Sequence, residues 1–135
     1  MQYVVDIGAV PLLESPPSDR PDRRRVGVVF ENGDTKVSAA FVAILPGQQE
    51  FHRTEHPEEE ICYVTAGYGQ IVIGEDIFDI KKGSAIFIPS MANHRLINLG
   101  DENLEMICIV NTLKGGFFDG GFDKLFTDGG WTKVS

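Results

Sequence analysis

Histidine, cysteine and tryptophan are scarce in this chain: its 135 residues include three His, two Cys and one Trp. Basic residues are short as well, twelve Lys and Arg against twenty Asp and Glu, a formal charge of −8 with histidine neutral. Nucleic acid and anionic membrane surfaces are recognised through clustered positive charge, so this deficit excludes both as partners. The one basic cluster, Arg23, Arg24 and Arg25 after Asp22, reads as a solvated strand entry. Long apolar runs are missing too. The longest, residues 39–46 with their neighbours, falls far below a bilayer span. Residues 1–10 carry Asp6 inside the apolar stretch and no basic residue ahead of it, which is not the layout of a secretory leader. A soluble, cytoplasmic protein is expected. Cys62 and Cys108 sit in hydrophobic runs without CxxC or zinc-ribbon spacing, and are expected to be buried free thiols.

With 42% hydrophobic and 24% charged residues, the composition is that of an ordinary globular protein, and the length gives room for one domain. Apolar segments are short, rich in Val, Ile, Phe and Tyr, and closed by Gly, Asn, Asp or Pro. This pattern predicts strands over residues 3–7, 25–30, 36–45, 61–65, 70–73, 77–80, 85–88, 94–98 and 104–111. Turn residues between them, at 31–34, 74–76 and 100–103, predict hairpins. Closely spaced short strands indicate an all-β sandwich or barrel. Residues 1–24 read as an N-terminal strand and a Pro-rich surface crossing, 25–111 as a barrel, and 112–135 as a tail. Between Gly115 and Trp131 the tail interleaves six glycines with five aromatic residues. It must pack on something: the end of the barrel as a plug, a dimer partner, or a pocket as a lid.

All three histidines fall in two spaced motifs. The first runs from Gly47 through His52, Thr54, His56 and Glu60 to Gly67; the second holds Gly83, Pro89, His94 and Asn98. Together they resemble the two signature motifs of the cupin superfamily, across residues 46–98. The resemblance implies a small double-stranded β-helix, or jelly-roll barrel, with a metal site inside. Alternation of strand side chains lets His56 and Glu60 both aim inward, and a later strand brings His94 across to them. Two imidazoles and a carboxylate converging in an apolar interior need a compensating charge, which a divalent metal supplies. The first motif departs from the family at Thr54, where a His is usual. Either His52 supplies the missing nitrogen, or water or substrate takes the position. The candidate ligands are therefore His52, His56, Glu60 and His94. The second motif has Met91 where Gly is common, read as a change of turn geometry.

Glu55, Glu58 and Glu59 read as a solvated turn, and Cys62 as inward by parity with Glu60. Phe51, Tyr63 and Phe87 are candidates for barrel packing. Arg53 and Arg95 adjoin candidate ligands and should turn outward, so no inward anion-binding Arg is evident. The resemblance implies a metal-dependent enzyme acting on a small oxygenated metabolite. One divalent transition metal (Fe, Mn, Zn or Ni) would support lyase, isomerase, decarboxylase or dioxygenase chemistry. Glu60 and Tyr63 are the candidate catalytic residues, Tyr63 or a metal-bound water moving the proton. The alternative is a non-catalytic barrel that binds or senses a small ligand. Family members are commonly homodimers, and the N-terminal strand is a candidate to pair with the partner's sheet.

Overall fold

A computed structural model describes residues 3–31, 36–51 and 54–134. The expectations for His52 and Arg53 and most of the turn at 31–34 lie outside the described residues. Among the described residues are ten strands: β1 (Leu13–Glu14), β2 (Arg24–Phe30), β3 (Val37–Ile44), β4 (Glu60–Ala66), β5 (Tyr68–Ile73), β6 (Asp76–Lys81), β7 (Ala85–Ile88), β8 (His94–Asn98), β9 (Leu104–Asn111) and β10 (Thr132–Lys133). One helix, α1, spans Gly121–Asp128. The larger sheet has the order β10-β1-β2-β3-β9-β4-β7 and the smaller β6-β5-β8, with every pairing antiparallel. This is the all-β architecture expected from the strand pattern, in the jelly-roll form that the resemblance implied.

The two-residue period of the strands decides which side chains meet inside. Along β9, Leu104, Met106, Cys108 and Val110 are buried while Glu105, Ile107 and Ile109 are not. Ile44, Val64, Ile71, Ile88 and Leu96 join Leu104, Met106 and Cys108 in a core drawn from both sheets, while Val110 packs with Phe118 and Phe122. Asn98 closes the end of β8. Its Nδ2 faces the carbonyls of Ile44, Leu45 and Glu102 at 2.9, 3.1 and 2.8 Å, and its Oδ1 accepts from Gly100 N–H at 2.8 Å. Gly67 has φ of 81°, and a side chain there would collide with the Asn103 carbonyl, so the β4–β5 turn requires glycine.

Several expectations are corrected. Residues 3–7 form no strand. Asp6 Oδ1 accepts from Gly8 N–H at 3.0 Å and starts a 3-10 turn, Ile7–Ala9, because a short acid side chain competes with ladder bonding. The segment expected to pair with a partner's sheet is therefore not a strand in this chain. The Pro-rich crossing contains β1, which pairs with β2 on one side and β10 on the other. The tail is ordered into α1 and β10, and α1 packs beside β3. Met91 keeps a left-handed φ of 61°, so the turn retains the geometry that favours glycine instead of changing it. Tyr63 and Phe87 are 52% and 54% exposed on the outer face, not packed in the barrel. Among the described residues, no helix is long and apolar enough to cross a membrane.

Candidate metal centre

His56, Glu60 and His94 come together at one point of the barrel interior, with a ligand-capable atom from each within 4.8 Å of the others. Glu60 opens β4 and His94 opens β8. His56 sits just before β4, its ring buried and its Nε2 3.1 Å from Glu60 Oε1. His94 Nε2 lies 3.8 Å from the same oxygen. The turn after β7 aligns both imidazoles: Met91 N–H donates to the His56 carbonyl at 2.7 Å, and the Ala92 carbonyl accepts from His94 Nδ1 at 2.9 Å. Thr54 bridges His94 through backbone bonds in both directions, at 2.9 and 3.1 Å.

The tautomers follow from the acceptors. His56 Nδ1 is 3.0 Å from the Glu58 carbonyl and His94 Nδ1 faces that of Ala92. A carbonyl only accepts, so each Nδ1 carries a hydrogen and each Nε2 points at Glu60. Two imidazole nitrogens and a carboxylate oxygen facing one another need a proton or a cation between them. Burial opposes the charged form of His56, but the hydrogen bond and charge of Glu60, with the carbonyl and carboxylate of Glu58, outweigh it and raise its pKa. Burial likewise pushes Glu60 up, but bonds from His56 and Cys62 and the charges of His94 and His56 hold its carboxyl below the usual range. Neutral imidazoles with Nδ1–H anchored on carbonyls and Nε2 turned to a carboxylate form the donor set of a divalent transition-metal site. The residues present fit such an ion.

The centre opens on a cavity of about 330 Å³, largely apolar, with Thr54, Cys62 and Cys108 also in its wall. Two charged residues missed in the sequence line it as well. Glu50 Oε1 accepts from Leu96 N–H at 2.8 Å, and its Oε2 is 3.7 Å from Arg24 Nη1. Burial raises the Glu50 pKa against the pull of Arg24 and the Leu96 N–H. Arg24 also lies 5.2 Å over the ring of Trp131. This corrects the expectation of no inward Arg. The strand period carried the signal for Arg24, which shares parity with buried Val26 on β2. Arg95 follows expectation, turning aside to bond Gln49 Oε1 at 2.9 Å.

The tail makes the remaining wall. Phe117, Phe118, Phe122, Phe126 and Trp131 all line the cavity, and Phe117 and Phe118 lie against the His56 ring at centroid distances of 5.8 and 5.0 Å. Glu58 anchors them. Fully buried, it accepts from Phe117 N–H at 3.3 Å and Phe118 N–H at 3.1 Å. It is a fastening for the tail, not part of a solvated turn as expected, and no local pattern could have revealed partners 59 and 60 residues away. Glu55, by contrast, is exposed and bonds Asn93 Nδ2 at 3.1 Å. Tyr63, expected as a base, is not in the cavity wall, because alternation from Glu60 turns it outward. Cys62 does face inward: its thiol donates to Glu60 Oε2 at 3.1 Å and meets Cys108 Sγ at 3.0 Å. Both thiols are free. The bond to Cys108 and burial push the Cys62 thiol well up; the same bond acts downward on Cys108, but burial and Glu60 carry it up too.

A jelly-roll barrel holding two histidines and a glutamate over an interior cavity defines a class of small barrel proteins, and comparison with known proteins agrees. Residues 40–110, more than half of the chain, match the Cupin domain family. The chain belongs to the cupins. An uncharacterised protein, MJ1618 of Methanocaldococcus jannaschii, is 33% identical over 73 residues, covering 54% of this chain and 58% of that relative, less than two thirds of its length. Among solved structures, a predicted oxalate decarboxylase from Thermotoga maritima superposes with a TM-score of 0.72 at 20% identity, covering 82% of this chain and all of that one. The polyketide cyclase RemF from Streptomyces resistomycificus gives 0.68 at 17% identity, covering 82% of this chain and 80% of that one. At these identities the likeness is one of fold.

Proposed function

We propose that this cupin is a metal-dependent enzyme acting on a small oxygenated metabolite that carries an anionic group on an apolar or aromatic body. The observation that carries the reading is the convergence of His56, Glu60 and His94 at one side of an apolar cavity that also holds Arg24 and Glu50. His56 Nε2, His94 Nε2 and the Glu60 carboxylate would hold the ion. When bound, a divalent Fe, Mn, Zn or Ni ion supplies Lewis-acid polarisation of the substrate's oxygens, or oxygen activation in the case of iron, which suits lyase, isomerase, decarboxylase or dioxygenase chemistry.

The chain's own residues supply the rest. Arg24 binds and orients the anionic group, its guanidinium only loosely paired with Glu50. Phe117 and Phe118 keep water off the His56 side. Glu50 takes the role expected of Tyr63. It is the carboxylate in the wall besides Glu60, and its placement suits it to accept or return a proton on bound substrate. A homodimer is part of the proposal, through the outer sheet face. There Ile61 is the register partner of both Phe87 and Ile109, and all three are exposed. An Ile61→Glu variant is expected to be monomeric by light scattering where the parent is dimeric.

Metal analysis of the purified, reconstituted protein tests the reading. About one equivalent is expected, lost in His94→Ala and kept in Glu55→Ala. Equal retention in both variants would overturn the ligand set. Less than about a tenth of an equivalent of any transition metal, even with excess ion, would overturn the enzyme and favour the second reading, a non-catalytic small-ligand or sensing barrel. Thr54 supports that second reading, since it lines the cavity at the motif position where a His is usual, and a neutral hydroxyl is a poor ligand.

A further inference from the structure

Cys62 and Cys108 have no part in the proposed chemistry, yet their arrangement is specific. They are direct register partners on the neighbouring antiparallel strands β4 and β9. Opposed residues in such a pair have Cα atoms about 4.5–5.5 Å apart, inside the roughly 4.4–6.8 Å range that a disulfide spans. The sulfurs are already 3.0 Å apart, so reaching a bond length of about 2.05 Å requires side-chain rotation and little else. Both lie in the cavity wall, where a small oxidant can reach them. Cys62 is also tied to the centre, because its S–H donates to Glu60 Oε2 while Glu60 Oε1 faces His56 and His94.

We propose that Cys62 and Cys108 are a reversible oxidation site, forming a disulfide in the pocket wall that removes the hydrogen-bond donor from Glu60 and weakens metal binding there. With a peroxide as oxidant, one cysteine sulfur takes an OH from the O–O bond, giving a sulfenic acid and releasing water. The second thiol attacks that sulfur, the S–S bond forms, and the sulfenic oxygen leaves as a second water. Two thiols and one hydrogen peroxide thus yield one disulfide and two waters, the two electrons passing from sulfur to the peroxide oxygens. Thiol reductants restore the starting state. The effect on the metal rests on the reading of His56, Glu60 and His94 as its ligands; the disulfide does not.

The test is to treat the folded protein with hydrogen peroxide, count thiols and map peptides by mass spectrometry without reduction. The expected result is a fall from two free thiols to none, a linked peptide pair containing Cys62 and Cys108, and recovery with dithiothreitol. Metal affinity is expected to fall about tenfold in the oxidised protein, the scale on which partners of metal ligands act, and to return on reduction. Cys62→Ser keeps a hydroxyl donor toward Glu60. It should bind metal as the reduced parent does and form no intramolecular disulfide with peroxide. Two thiols persisting in the folded protein, under conditions that oxidise them after denaturation, would overturn the proposal. A disulfide that leaves metal affinity unchanged would overturn its coupling to Glu60. A disulfide in a protein that binds no metal in either state would keep the oxidation site and overturn the metal reading.

Discussion

The cavity has two walls made by different means. On the barrel side, β4, β8 and β9 present inward residues by alternation, held by backbone ladders with one register shift, between Val64 and Ala66. On the tail side, the aromatic residues are carried by a glycine-rich segment and one short helix, and fixed by a few distant polar fastenings. Glu58 holds Phe117 and Phe118; Glu31 accepts from Asp123 N–H at 3.2 Å at the start of α1; Trp131 lies on Arg24; β10 joins β1. The barrel wall is distributed over many equivalent bonds, whereas the tail wall depends on single residues. A given deletion should therefore spread through the first and stay local in the second.

Leu104→Ala strikes the barrel wall at a fully buried position. It is expected to cost about 2–5 kcal/mol and to lower hydrogen-exchange protection of both sheets together in a denaturant series. Glu58→Ala strikes the tail wall. It leaves the Phe117 and Phe118 amides unpaired, a cost of about 1–3 kcal/mol each, and exchange should rise across residues 115–131 while β4, β8 and β9 stay protected. Barrel and tail losing protection equally in Glu58→Ala would erase the distinction. Met91→Gly works in the opposite direction. It removes the strain of a left-handed side-chain residue, so a gain of up to about 1 kcal/mol is expected in chemical denaturation, with metal content unchanged.

The smallest effect concerns the seam where the tail's last strand joins the barrel. Side-chain hydrogen bonds from Arg23 and Arg25 hold the Glu14 carboxyl below its usual range. Ionised Glu14 is therefore favoured in the folded state, and its contribution is present above the ordinary carboxylate range and lost as pH falls through the depressed value. The difference in melting temperature between the parent and Glu14→Gln should be slight at neutral pH, the group being on the surface, and vanish in acid.

The same contrast explains what was legible in the sequence. Barrel positions obey a local two-residue rule, so most strands followed from pattern, and the meeting of His56, Glu60 and His94 from that rule together with the resemblance to the cupin motifs. The rule reached further than it was applied. It turns Tyr63 outward from Glu60, and it turns Arg24 inward beside Val26, a placement hidden because Arg24 stands between Arg23 and Arg25 and looks like one member of a charged surface run. The tail obeys no local rule. Its conformation depends on Glu58 and Glu31, and an acidic residue among acidic neighbours shows nothing of amides that approach it from the far end of the chain. The N-terminal segment failed for a related reason: one Asp6 side chain offered a nearer partner than any strand.

The turn after β7 touches both imidazoles, through the His56 carbonyl and through His94 Nδ1. The two histidine segments are thereby tied together by four residues of backbone, 89–92, in addition to the Thr54 bridge to His94. Resetting this one turn would displace both histidines together, which makes residues 89–92 a single handle on the geometry of the pair.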